Sequence, residues 1–386
     1  ALTAGTNLLL NAASAAIAAG TALTGTASGA VTSTASTIAA GTNLALTAGT
    51  NLLLNAASAA IAAGTALTGT ASGAVTSTAS TIAAGTNLAL TAGTNLLLNA
   101  ASAAIAGGNA TLTATAGFFK VDKASSVTAT NGAVSGQAGL AISVLRGSSI
   151  TAGTDVSMVA GTSLQLDSME SGLASIVAQT GDVLLRAGND VTVSRTGMVH
   201  TLDSDHAGTG DRLNFIRIQA DTGGAADAGG GSILIEGTLL GQNVVIQGGS
   251  EADHIELRQM ALLAGHTRIL GLGGADTVVI DRQPTLTSTH NRPDHLQRDG
   301  SNGAVRDTLD IDGGEGTDTV TVRLVGGGSA DILINVHDTG VGGADTLTLK
   351  GTERGDSLLL RRNFVALLQQ TGTDANGRPV FGAAVE

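Results

Sequence analysis

Residues 1–44 read ALTAGTNLLLNAASAAIAAGTALTGTASGAVTSTASTIAAGTNL, and the same letters return unchanged as 45–88. A third copy opens at Ala89, holds to Ala106 and departs at Gly107. The 44-residue period divides again. LTAGTNLLLNAASAAIAAGT (2–21) aligns with LTGTASGAVTSTASTIAAGT (23–42), setting Leu2 against Leu23, Leu10 against Val31 and Ile17 against Ile38. The unit is a coil of about 22 residues, used in pairs. A unit of this size cannot bury its own apolar face, so neighbouring units must stack and share one core.

Ala-rich stretches such as Asn11–Ala19 have helix propensity. Against a helix, Thr, Ser and Gly interrupt every few residues, and no charged i,i+4 pairs or caps support one. Short stretches such as Asn7–Leu10 and Gly29–Ser33 instead sit between Ala-Gly-Thr and Ser-Gly turns, as strands do. The cadence persists downstream at Val156–Val159, Leu164–Leu166, Val183–Leu185, Val191–Val193, Ile233–Ile235 and Val244–Ile246. The pattern predicts an all-β, elongated β-solenoid of about 22 residues per coil, a parallel β-helix with the right hand that parallel crossovers take. At that coil length 386 residues allow about 17 coils, a rod on the order of 80 Å at the usual strand spacing.

Composition fits a thin stacked core. The chain has 55 Gly and 42% hydrophobic residues, but only 5 Phe and no Trp, Tyr or Cys. Lack of Cys excludes disulfide scaffolds, thiolate zinc sites and cysteine nucleophiles. The first ionisable side chain is Lys120, so the net charge of −12 belongs wholly to the later residues. An acidic balance disfavours a nucleic-acid surface, and no apolar run reaches the ~20 residues of a membrane span. The chain starts without Met and inside a repeat, which predicts a fragment or processed form with any targeting segment outside it. Four regions follow: uncharged tandem repeats (1–106), degenerate coils (107–247), acidic Gly/Asp-rich coils (248–361) with a loop near 284–307, and a tail (362–386), loosely ordered from Gln369 to Glu386.

The segments AGTNLLLNAA, AGTDVSMVAG and TGDVLLRAGNDVTV resemble the repeat region of filamentous haemagglutinin-type bacterial surface proteins, over roughly residues 1–247. The resemblance implies a long secreted β-helical fibre that displays adhesive or effector regions, placed outside the cell or on the bacterial surface.

From Gly248 a second pattern appears. Gly313-Gly-Glu-Gly-Thr-Asp-Thr-Val320 matches the nonapeptide of calcium-binding β-rolls, in which glycines turn the chain and an Asp faces the ion. Looser versions place Asp253, Asp276, Asp331, Asp345 and Asp356 in similar settings, a partial resemblance to haemolysin-type repeats. Candidate calcium ligands are Asp318 with nearby Asp312, then Asp276 and Asp345. Spacings of 23, 42, 13, 14 and 11 residues between the six repeat aspartates do not give the consecutive nine-residue repeats of a calcium roll. One isolated match also offers fewer than the 6–8 oxygens Ca²⁺ takes. The alternative is a solenoid turn whose Asp and Thr bond the local backbone.

Other clusters read as solvated loops rather than metal or acid–base sites: His200, Asp203, Asp205 and His206, and His290, Asp294 and His295. The Gly-rich 221–231 lacks the Lys-Ser/Thr of a phosphate loop. Phe118, Phe119 and Phe215 read as core or end-cap residues, and Arg361 and Arg362 as flanks of a last strand.

The expected function is structural or adhesive: a repetitive stalk or self-associating filament of a large secreted bacterial surface fibre, not an enzyme, with no required cofactor. Its expected partners are further copies of itself or a host or environmental surface. Two alternatives stay open. A β-helical polysaccharide-processing enzyme would want Trp or Tyr sugar platforms, which are absent. An ice- or crystal-surface-binding solenoid would use Thr ladders, for which TAGT, TGTAS and TSTAST supply material.

Overall fold

The computed structural model describes residues 1–10, 16–55, 60–167, 172–201, 214–222, 229–258, 261–281, 285–286, 307–323, 332–351, 357–361 and 364–384. Asp203, Asp205, His206, His290, Asp294, His295, Asp331, Asp356 and Arg362 lie outside the described residues, as do most of the Gly-rich 221–231 and of the loop near 284–307. The described residues contain strands and turns but no helix. The chain is a parallel β-solenoid with a coil spacing of roughly 23 residues.

Each early coil contributes three strands to three faces. In the first coil these are Leu2–Ala4, Leu8–Leu10 and Ala16–Ala19; in the second, Leu23–Ala27, Val31–Thr34 and Thr37–Ala40. The second face is a sheet of fourteen strands, ending at Thr346–Lys350. The first and third faces merge into one 24-stranded sheet. They merge because Thr238–Gln247 and Leu262–Leu270 run unbroken around the corner; Thr238–Gln247, for instance, pairs with both Gly197–Thr201 and Phe215–Gln219. Among the described residues, fourteen second-face strands, about 65 Å of rod at the ~4.8 Å strand spacing, stand where 17 coils were expected. Later coils are longer: Val183 pairs with Ile216 and Thr267 with Leu309.

The observed register corrects the alignment of the first two coils. Leu2 pairs with Gly25 and Leu8 with Val31, while Ile17 does meet Ile38. Gly25 in turn pairs with Leu46, Leu46 with Gly69, and Gly69 with Leu90. This inward column therefore alternates large and absent side chains. A Cβ on Gly69 would stand 2.9 Å from Leu90 Cδ2 and 3.0 Å from Leu52 Cδ2. The 44-residue period is thus a packing period: one coil projects Leu into room that the next leaves vacant.

Strand residues alternate buried and exposed, as in Leu23–Ala27, and their buried members form one hydrophobic cluster from Leu23 to Val322. Phe119 lies fully inside it, whereas Phe118 stays at a corner, partly in solvent. Beyond the coils, the described part of Gln369–Glu386 is not the loose segment expected. Ser357–Arg361, Phe364–Thr373 and Pro379–Ala384 pair antiparallel in a separate three-stranded sheet. Arg361 ends the first of these strands, so the chain continues past it in regular structure.

Candidate functional site

Parallel coils leave polar backbone at their corners, where the sheet ladder is interrupted and other acceptors must serve. At the corner before the first face, Asn43 Oδ1 accepts the Ala66 N–H (3.2 Å), Asn87 that of Asn109 (3.1 Å) and Asn109 that of Ala133 (2.9 Å). Asp155 and Asp182 continue this column, accepting from Asp182 and Phe215 at 2.8 Å each. The Asn and Asp of the AGTN, AGTD and TGD segments are therefore one device, an acceptor carried to the next coil. At the third corner buried serines take over: the Ser102 and Ser125 N–H groups donate to Ser125 Oγ and Ser148 Oγ at 3.1 and 3.2 Å.

The corner before the second face changes character along the chain. Early on, Asn7, Asn51 and Asn95 accept the N–H of Ala30, Ala74 and Phe118. In the acidic coils a column of aspartates takes over, each directly before its second-face strand. Asp276 Oδ1 accepts the Asp253 N–H, Asp318 Oδ1 the Asp276 N–H (both 2.8 Å) and Asp345 Oδ1 the Asp318 N–H (2.9 Å). Residues far apart in sequence thus form one stack, with bonds running back toward the preceding coil.

Asp253, Asp276 and Asp318 are buried, and Asp276 is only 1% exposed. Asp253 uses both oxygens, accepting from Gly231 and Gly249 at 2.5 Å each. In contrast, Oδ2 of Asp276 and of Asp318 has no hydrogen-bond partner, nor has Oδ1 of Asp221 at the head of the stack. Each turn begins with a glycine five residues before its aspartate, and the reason is contact. A Cβ on Gly271 would collide with Asp276 Oδ2 and with the Gly313 carbonyl oxygen of the next coil; one on Gly313 would collide with Asp318 Oδ2.

Burial pushes the Asp276 carboxyl up to about 7, with the charges of Asp253, Asp318 and Asp221 adding to the rise. Burial also raises Asp253 and Asp221, the latter helped by the Glu251 side chain. At the exposed end of the stack, the bond from Asp338 to Asp345 raises Asp338, while the Asp318 N–H is the main cause holding Asp345 down.

Asp312 does not join the column. It ends the first-face strand Asp307–Asp312 and accepts from Thr339 N–H (3.1 Å) and Thr339 Oγ1 (2.7 Å). Beside it lies an open cavity of about 280 Å³ lined by Leu270, Asp312, Gly314, Glu315, Thr339 and Val341 among others. Among the described residues no three His, Asp or Glu are grouped as metal ligands would be. One carboxylate per coil, with Oδ1 committed to an N–H, does not fit an ion wanting 6–8 converging oxygens. Each Oδ1 makes the kind of backbone bond that the turn alternative describes.

A second buried acid was not singled out by sequence. Asp122, between Lys120 and Lys123, is held well below the carboxylate range, chiefly by the Arg146 guanidinium and also by Lys120. Arg146 Nε donates to it at 2.6 Å, its Nη2 makes a second bond, and Lys120 Nζ lies at 2.9 Å. Of the remaining histidines, His200 lies in the third-face strand Gly197–Thr201, and Phe215 begins a first-face strand. No helix among the described residues is long and apolar enough to cross a membrane. Comparison with family models, curated proteins and solved structures returned no significant match.

Proposed function

We propose that this chain is a stalk segment of a secreted bacterial surface fibre of the filamentous haemagglutinin type, in which repetition sets length and the outer faces meet further copies or a foreign surface. The observation that carries the reading is that identical 44-residue units stack in register on one unbroken core. Added repeats would therefore extend the rod without redesigning any contact. Residues 1–119 hold no Asp, Glu, His, Lys or Arg, which suits a spacer better than a reaction centre. The test is to insert further copies of 45–88 and image single particles by electron microscopy. Each copy is expected to lengthen the rod by about 10 Å, two strand spacings, and purified protein to associate into filaments. Unchanged length, or isolated particles at every concentration, would sink the reading.

A second reading has one specific observation behind it. Thr26, Thr47, Thr70, Thr91 and Thr113 pair in register on the outside of the first face. Thr24, Thr68 and Thr111 flank them on alternate coils. A hydroxyl row repeated in register from coil to coil is suited to an ordered crystal surface such as ice. Thermal hysteresis of the full chain, abolished by Thr70→Leu with Thr91→Leu, would favour it; its absence from the parent protein would remove it.

A further inference from the structure

Two outward columns run down the first face of the rod. One passes from Thr24 to Leu184, Arg217, Val245 and Arg268, the other from Thr26 to Arg186, Gln219 and Leu270. Among the described residues neither column holds an acid before Asp310 and Asp312, which follow Arg268 and Leu270. The chain as a whole carries a net charge of −12. Elsewhere Arg146, Arg258 and Arg323 each answer a carboxylate. Arg186, Arg217 and Arg268 are exposed, and none of the three has a hydrogen bond or ion pair with a described residue.

Their placement is a patch rather than a line. Arg217 and Arg268 stand two rungs apart, about 10 Å, and Arg186 lies one rung before Arg217 and two residues along the strand. Half-buried Leu184, Val245 and Leu270 fill places among them. Arginine stems can pack on such side chains while the guanidinium groups reach outward.

We propose that the first face from Arg186 to Arg268 docks on a lipid bilayer with anionic headgroups, whose phosphate and carboxylate oxygens take the three guanidinium groups. The spread over two columns, with apolar side chains between the charges, matches an extended surface better than a single threaded polymer. Single nucleic-acid strands are met with aromatic platforms, as sugars are, and the chain has no Trp or Tyr. Toward the repeats both columns continue in Thr, Ser, Ala, Gln and Val, so the rod can lie along a negative surface without presenting a carboxylate from them.

Two carboxylates border the patch. Asp182, at the corner, accepts the Phe215 N–H at 2.8 Å, and Asp310 is held between His266 (3.2 Å) and Asn335 (2.6 Å). Acids of the second face lie on another side of the rod, and charges beyond about 8 Å are screened at physiological salt. A bilayer is then the foreign surface of the stalk reading, on which this inference rests. Vesicle binding and rod extension are separate measurements, so either can fail alone.

The experiment is sedimentation of the full chain with phosphatidylcholine vesicles, with and without phosphatidylserine, at low and at high salt. Each arginine near the surface is worth about fivefold in partitioning. The parent chain should therefore prefer the phosphatidylserine vesicles by about a hundredfold, and high salt should erase the preference. Arg217→Gln with Arg268→Gln should lower it about 25-fold. Lys123→Gln with Arg195→Gln removes the same charge from exposed positions between the second and third faces, and should leave it unchanged. Equal binding of the parent chain to both vesicle types would overturn the proposal whatever the variants do. So would equal losses in the two double variants. Capture of the chain by soluble dextran sulfate without any binding to vesicles would also overturn it, since the face would then serve a soluble polyanion.

Discussion

Leu90 occupies the room that Gly69 leaves in the coil before it, its Cδ2 standing 2.9 Å from where a Gly69 Cβ would be. Gly69→Ala should therefore overpack the column, destabilising the repeat region by about 1–3 kcal/mol, and Gly69→Leu should cost more. Thermal melts of the two variants check this, and a double variant Gly69→Ala with Leu90→Ala should recover part of the strain while losing burial.

Asp122 and Arg146 give stability a pH dependence. The folded value of Asp122 is depressed, so the pair's contribution is fully present above the unfolded value of ~3.9 and is lost as pH falls below it. Arg146→Met removes the main partner and should cost about 1.5–3 kcal/mol at pH 7, with a smaller effect at pH 2–3. Denaturant unfolding at both pH values is the measurement.

Corner acceptors should be replaceable by shape rather than by charge. Asn51→Ala leaves the Ala74 N–H without its 2.8 Å partner and should destabilise by about 1 kcal/mol. Asn109→Asp should be tolerated, because Asp155 and Asp182 already hold the same place in the column. Exchange rates of the Ala74 and Ala133 amides report each case.

Strand positions were legible because inward Leu, Val and Ile recur between Gly-bearing turns, and Val156, Val183, Val191 and Ile233 all begin or lie in strands as read. The pairing of Leu2 with Gly25 was not legible. Matching letters sets Leu on Leu, whereas packing volume sets Leu on nothing. Asp253, Asp276, Asp318 and Asp345 were visible as a motif, but their uneven sequence spacing hid their stacking. Asp312 looked like a partner of Asp318 by proximity in the chain; a strand end and a turn separate them. The tail misled because position near a chain end was the only ground for reading it as loose, whereas Asp374, Asn376 and Gly377 make a turn between antiparallel strands.

The alternation of Leu and Gly also governs how the chain can go astray while folding. Slipping by a single coil would set Leu46 on Leu90 or Gly25 on Gly69, and mismatched volumes reject it. A slip by the whole 44-residue unit meets identical chemistry and passes unchallenged. Proofreading must come from residues that occur once, and these begin where the copies end: Phe119 inside the core, then Asp122 fastened to Arg146. Those unique contacts act as an index mark that fixes the count of otherwise interchangeable rungs.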